Sequence, residues 1–188
     1  MNPPDLTNLV PHSLREVLPG VFYADRPLVF FDRGIVAFLK GQASAAAWGR
    51  ARVCAHPSAD ADQHDMLIVS QKDTYVAPHR HMSKSESMLV LEGSANALLF
   101  SDDGARVQHL AMSAPGTNRP FFYRMPAGLY HSLAIESEFL VFVESTKGPF
   151  RLADTEFAPW APVASDVVAG RAFIAALSGP EARDRGRG

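Results

Sequence analysis

The spacing of apolar residues changes twice along this chain, and the changes divide it into three stretches. Residues 1–20 carry four prolines and the sequence PHSLREVLPG, which predicts a loop with one short helix. Behind Asp32, Ile35, Val36, Phe38 and Leu39 recur at helical spacing. Asp32 is a fitting N-cap, and the alanine-rich run can carry that helix to Trp48. After residue 48 the pattern turns to β, with strands expected near 49–55, 65–70, 74–81, 86–92, 95–100, 106–112, 120–125, 130–135 and 138–145. Glu92-Gly93, Ser101-Asp102-Asp103-Gly104, Ala114-Pro115-Gly116 and Pro126-Ala127-Gly128 supply turns, and the polar stretch 56–65 reads as a loop. Residues 166–179 return to a helical pattern that Gly179-Pro180 should stop, followed by a tail expected to be disordered.

Many short strands at close spacing argue for an all-β sandwich or small barrel with flanking helices. The expected organisation is an N-terminal arm and helix over 1–48, a barrel over 49–160, and a C-terminal helix and tail over 161–188. No internal repeat interrupts this plan. The strand within 86–92 is apolar on both faces, Met88 and Val90 on one and Leu89 and Leu91 on the other. Such a strand needs cover outside as well as inside, from a helix or from a second copy, so a homodimer is expected.

Composition narrows the function classes. With 188 residues, 47% apolar and 20% charged, the chain has the make-up of a globular protein rather than a disordered one. A net charge of −2 offers no global field for nucleic acid or an anionic membrane. No stretch approaches the roughly 20 apolar residues needed to span a bilayer. Cys54 is the single cysteine, which excludes an internal disulfide. The first residues lack the basic and apolar regions of a secretory signal, so the expected location is cytoplasmic.

The segment Pro78-His79-Arg80-His81-Met82-Ser83-Lys84-Ser85-Glu86 carries the chemistry. Residues two apart on a strand project to one face, which pairs His79 with His81 and sends Arg80 the other way. Glu86 opens the next strand, and His131 in Pro126-Ala127-Gly128-Leu129-Tyr130-His131 offers a third imidazole. Three imidazoles and a carboxylate suit one divalent transition metal, Fe, Mn, Ni, Co or Zn, rather than Ca or Mg. Four protein ligands on an octahedral ion would leave two positions for water, substrate or oxygen. A lone histidine is more often solvated or packed than ligating, and that reading is applied to His12, His64 and His109. Cys54 reads as a small buried residue rather than a nucleophile.

These residues carry a resemblance. His79-x-His81-x4-Glu86-x6-Gly93 and Pro126-x-Gly128-x2-His131 resemble the two cupin motifs. The stretch from Arg50 to Trp160 is similar to the WbuC-type family of cupin-fold metalloproteins. Arg50-Ala-Arg52-Val-Cys54-Ala-His56, PHRHMSKSES, MPAGLYHS and ESTKGPF at 144–150 are the matching blocks. The resemblance implies a double-stranded β-helix, a small jelly-roll barrel, with a metal on His79, His81, Glu86 and His131. It implies little about reaction, since members occur near surface-polysaccharide genes without an agreed activity. Three scaffold positions depart from the cupin pattern: Asp73 and Pro120 stand where glycine is expected, and Ile135 where asparagine is.

A second signal is basic. Arg50, Arg52, Cys54 and His56 alternate onto one face, while Ala51, Val53 and Ala55 take the other. This face is either a solvated edge or the barrel lumen. As lumen it would supply guanidinium forks for a carboxylate or phosphate, with Lys84 reaching the mouth on its flexible stem. Tyr75, Tyr123 and Tyr130 are candidate pocket aromatics. Two functions compete: a metal-dependent enzyme (isomerase, epimerase, lyase or oxygenase) on a small anionic or sugar-derived substrate, and a non-catalytic module binding such a ligand. Exchangeable metal waters and turnover discriminate between them.

Overall fold

In the computed structural model, residues 14–178 are described. The expectations for residues 1–13, for His12, for the Gly179-Pro180 stop and for the tail lie outside them. Helix α1 (Arg33–Ala45) begins as the sequence indicates, with Asp32 Oδ1 accepting from the Ile35 amide at 2.9 Å. It stops three residues short of Trp48, at the extended Ala46. Leu39 and Ala43 on its inner face are fully buried against Ala51, Val53, Leu67 and Val69. Full burial of a side chain such as Leu39, Val53, Leu67 or Val69 contributes roughly 1.5–3 kcal/mol, so this outer layer is a real part of the core.

Residues 1–20 were expected to form a loop with one short helix, but their described part, from residue 14, is the first arm of a β-hairpin that runs to residue 24. Strand β1 (Leu14–Leu18) turns through Pro19-Gly20 into β2 (Val21–Ala24). The alternation in β2 explains the difference: Phe22 and Ala24 are buried, and Val21 and Tyr23 are half-buried. That period of two competes with the helical reading of PHSLREVLPG and wins through packing on β3 (Arg50–Cys54), to which β2 pairs in parallel.

The remaining strands are β4 (Gln63–Gln71), β5 (His79–His81), β6 (Glu86–Glu92), β7 (Ser94–Phe100), β8 (Arg106–Ser113), β9 (Phe122–Met125), β10 (Tyr130–Ile135), β11 (Phe139–Lys147) and β12 (Thr155–Phe157). They form a seven-stranded sheet in the order β1-β2-β3-β4-β11-β6-β9 and a five-stranded sheet in the order β12-β5-β10-β7-β8. The fold is all-β with flanking helices, a jelly-roll arrangement in which two sheets face one another without a shared ladder closing them. Met66, Ile68, Met88, Val90, Leu133, Leu140 and Phe142 fill the space between the sheets.

Two further differences shape the site. The long strand expected over 74–81 contracts to β5, because 74–78 have no ladder partners. β12, which the sequence pattern does not announce, pairs with β5 and places Thr155 opposite His81. Helix α2 (Val167–Ser178) rests on Tyr75 through Gly170, where a Cβ would stand 2.1 Å from the ring, so only glycine fits. On β6, Met88 and Val90 are buried as expected. Leu91 remains 40% exposed on the outer face, beside the exposed Phe121 and Phe122 of the β9 edge. Among the described residues no helix is long and apolar enough to cross a membrane.

Candidate metal centre

His79, His81, Glu86 and His131 converge from both sheets. β5 carries His79 and His81, the register of β10 sets His131 opposite His79, and β6 sends Glu86 across from the other sheet. One ligand atom from each of the four lies within 4.8 Å of every other. The turn before β10 is tied to β5 by the Gly128 amide donating to the His81 carbonyl at 2.8 Å.

Each imidazole is held by its Nδ1. His79 Nδ1 lies 2.9 Å from the Ala77 carbonyl, His131 Nδ1 lies 2.9 Å from the Leu129 carbonyl, and His81 Nδ1 lies 3.2 Å from Thr155 Oγ1. An Nδ1–H donated to a carbonyl leaves Nε2 as the free lone pair, which orients a ring for a metal. His81 Nε2 lies 3.3 Å from Glu86 Oε2, and His131 Nε2 lies 3.2 Å from Glu86 Oε1. His131 Nε2 is buried without a well-aligned hydrogen-bond partner. A buried, unpartnered nitrogen facing a buried carboxylate fits a divalent transition metal in this cluster.

The electrostatics agree with that donor set. Burial pushes Glu86 up, but His131 and His81 outweigh it and hold the carboxyl well below its ordinary range. Burial pushes His131 down, and Glu86 overrides it upward. Burial, reinforced by His131, brings His79 down to about 4, so that ring is neutral and able to ligate at neutral pH. Tyr123 donates its hydroxyl to Glu86 Oε1 at 3.0 Å, and its own pKa is driven well up by burial and by that carboxylate.

A cavity of about 610 Å³ opens from this cluster. Arg50, Arg52, Cys54 and His56 line it, while Ala51 and Val53 point outward beneath α1. Lys84 also lines it and is only 8% exposed, with Nζ 5.8 Å from the Phe150 ring centre. Arg50, Arg52 and Lys84 make no ion pair among the described residues, and Arg52 Nε is buried without a partner. Outside the cavity, Lys40, Arg80, Arg119 and Arg151 each pair with a carboxylate. Burial, aided by Arg52, lowers the Arg50 pKa. Buried charges ordinarily pair, so unpaired cations on a cavity wall mark a place for an anion.

The tyrosines divide. Tyr123 belongs to the cluster. Tyr75 lines the cavity, with its hydroxyl committed to the Pro162 carbonyl at 2.6 Å. Tyr130 corrects the sequence expectation: it neighbours His131 on β10, so strand alternation turns it away from the cavity. Its hydroxyl donates to Glu156 at 2.6 Å, and the Arg80 guanidinium lies 4.4 Å above its ring. Arg80 itself stays outside the cluster, bound to Asp102 and Glu156. Cys54 is buried, and burial pushes its thiol up, consistent with a packing residue.

Two residues were missed by the sequence reading. His64, read as ordinary, is 4% exposed and stacks on His56 in the cavity wall. Glu144 on β11 faces the cavity, and burial together with Glu86 pushes its carboxyl up to about 7 against the pull of Arg50 and Arg52. The available signal was parity: in 139–147, Phe142, Glu144 and Thr146 share one face, and pairing sets Thr146 beside Glu86 and Glu144 beside Met88 on the cavity side.

A domain of unknown function (DUF6016) matches residues 31–112, less than half of the chain. No curated protein matches the chain. Solved structures resemble parts of it at low identity. An oxalate decarboxylase variant from Bacillus subtilis is 18% identical over 51% of this chain and 24% of that chain, with a TM-score of 0.42. The capsular polysaccharide assembling protein CapF from Staphylococcus aureus is 17% identical over 52% and 27%, with a TM-score of 0.43. A Shewanella oneidensis protein is 15% identical over 67% and 80%, with a TM-score of 0.47. The chain thus spans about a quarter of the length of the first two. The likeness is one of β architecture, and the site is read from its own geometry.

Proposed function

We propose that this chain is a metal-dependent enzyme acting on a small anionic or sugar-derived substrate. We further infer that it is related to the WbuC-type cupins and their surface-polysaccharide setting. The observation that carries the metal reading is the set of three imidazoles anchored at Nδ1 that converge with Glu86 beside an open cavity, one ligand atom of each within 4.8 Å of the others. Fe, Mn, Ni, Co or Zn held by His79, His81, Glu86 and His131 would supply Lewis-acid polarisation of a substrate carbonyl or hydroxyl.

The chain's own residues do the rest. Arg50, Arg52 and Lys84 attract and orient the substrate's negative charge. Tyr123 fixes Glu86 through Oε1. Glu144 favours catalysis over simple binding, because a carboxyl facing the cavity on the rung next to the metal centre is placed to take or give a proton at Oε. His56, brought down to about 4 by burial and His64, stays neutral in that range and acts as a wall rather than a charge.

Metal analysis of protein purified without chelator, paired with turnover assays on sugar acids and sugar phosphates, tests the reading. Near-stoichiometric metal with turnover that chelator abolishes is expected. Protein that takes up none of the five metals, or turns over equally well after stripping, overturns it. The outer face of Leu89, Leu91 and Phe122 motivates a homodimer, which light scattering at micromolar concentration would reveal as twice the chain mass.

A further inference from the structure

The cations of the cavity do not form one wall. Strand register separates them by depth. Across the seven-stranded sheet, Glu86 stands opposite Thr146, and Thr146 opposite His64, which defines the rung at the metal centre. The next rung inward on the cavity side carries Met88, Glu144, Met66 and Cys54. After it come Phe142, Ile68 and Arg52, and then Leu140, Ser70 and Arg50. Lys84 and His56 therefore belong to the metal end, and the two arginines rise from deeper in the sheet. Arg52 starts four residues and Arg50 six residues below the metal rung, about 13 and 20 Å of strand. Both guanidinia reach back far enough to act on Glu144, on the second rung.

We propose that the cavity holds its ligand at two stations: metal-binding oxygens at His79, His81, Glu86 and His131, and a phosphate monoester group deeper, between Arg50 and Arg52. This rests on the metal reading above and adds the class and placement of the substrate. Three observations carry it. Two like charges sit side by side with no ion pair to either among the described residues. Arg52 Nε is buried and unpartnered. Glu144, the other carboxyl of the cavity wall besides Glu86, lies too far from both guanidinia for an ion pair. An incoming anion would relieve the repulsion and satisfy the orphaned donor together. A phosphate monoester offers three terminal oxygens and close to two negative charges, which suits two guanidinium forks better than the two oxygens and single charge of a carboxylate. A spacing of roughly 7–14 Å between stations matches a phosphorylated monosaccharide and excludes a two-carbon acid. A cavity of about 610 Å³ has room for such a molecule.

The test separates the stations by using inorganic phosphate on the metal-free protein, read by calorimetry and by phosphorus NMR line width. Phosphate should bind wild type with and without metal. Arg52→Gln should weaken it roughly tenfold or more, and Lys84→Gln, at the metal end, by less than about threefold. Crystals of wild type soaked in phosphate give a readout that no folding defect can blur, with density expected between Arg50 and Arg52. A sugar phosphate should bind more tightly than the matching sugar acid, and both more tightly than the neutral sugar. Density only at the histidine cluster, no binding to wild type at about 10 mM, or unchanged binding in folded Arg52→Gln would overturn the proposal. If phosphate binds at the arginines and no metal is retained, the metal reading falls and the anion station stands. The reverse pattern removes the anion station alone.

Discussion

His56 and His64 stack face to face, their ring centres 3.9 Å apart and their planes 11° from parallel. Two imidazoles in that contact repel when both are charged, and burial together with His64 brings His56 down to about 4. His56 Nδ1 also lies 3.2 Å from the Asp65 carbonyl, and Asp65 pulls the other way while Arg52 adds to the depression. An unperturbed imidazole at this place would add positive charge to the cavity wall, and so strengthen anion binding, below its reference pKa of about 6.5. The stack moves that effect down to near pH 4. The folded pKa is depressed, so the unfolded chain binds more protons between about 4 and 6.5, and stability rises with pH across that window. The contribution is complete above 6.5 and is lost as pH falls through 4. Urea titrations should show a rise with pH across this window that is steeper in wild type than in His56→Gln, the difference being on the order of 2–3 kcal/mol.

Glu144 has the opposite sign. Its folded pKa of about 7 lies above the ordinary carboxylate value, so the folded protein holds a proton that the unfolded chain has already released. In metal-free protein its contribution to stability therefore falls as pH rises toward 7. Discounted for solvent reaching it across the cavity, the change is roughly 2 kcal/mol. Glu144→Gln should remove that loss, leaving the variant more stable than wild type above pH 7 and near equal to it at pH 4. Parallel stability profiles for the two proteins would refute the assignment.

The four-residue cluster predicts a stepwise loss of metal. His81→Ala leaves three ligands and should cut metal content sharply, and the His81→Ala, His131→Ala double variant should retain none by elemental analysis. Because an ion bound only by the folded state stabilises it by mass action, chelator should lower the melting temperature of wild type and leave the double variant unmoved. Full occupancy in the double variant is the outcome that contradicts the cluster.

Much of this site was legible because strand geometry is periodic. His79 and His81 share a face by parity, Arg80 is excluded by the same rule, and Arg50, Arg52 and His56 face the cavity while Ala51 and Val53 face α1. The same rule, applied to Tyr130 beside His131, would have removed that tyrosine from the pocket. Glu144 and His64 were harder, because their roles depend on which strands pair across β4 and β11, and pairing is a long-range fact. The β1–β2 hairpin was misread for a related reason: its alternation spans few residues, and its burial depends on a parallel partner 31 residues further along the chain.

Tyr123→Phe isolates an outer contact of the metal centre. It deletes only the hydroxyl that donates to Glu86 Oε1 at 3.0 Å, leaving the ring in the core. Removing such an orienting partner typically costs 10–100-fold in metal affinity. Competition with a chromophoric chelator should show a loss of about tenfold with little change in the melting temperature of the metal-free protein. An unchanged affinity would mean that β6 alone holds Glu86 in place.

Asp73 stands where the cupin pattern expects glycine, and the backbone there retains the glycine conformation, with φ at +64°. It is the one non-glycine residue at positive φ among the described residues. The left-handed region costs an L-residue roughly 1–2 kcal/mol, and aspartate carries less of that cost than a β-branched side chain. The turn is worth holding: the Asp73 carbonyl accepts from Arg171 Nε of α2 at 2.8 Å, and the next residue, Thr74, bonds the Gly49 carbonyl ahead of β3. Asp73→Gly keeps the carbonyl and relieves the strain, against some added freedom in the unfolded chain, for a net gain of about 0.5 kcal/mol. Asp73→Val adds branching at Cβ in the same conformation and should lose about 1–2 kcal/mol. Denaturant midpoints for the pair should bracket wild type in that order. If valine is tolerated as well as glycine, the left-handed turn is not what shapes the entry to β5, and the position of His79 has to be explained by the β10 and β12 ladders alone.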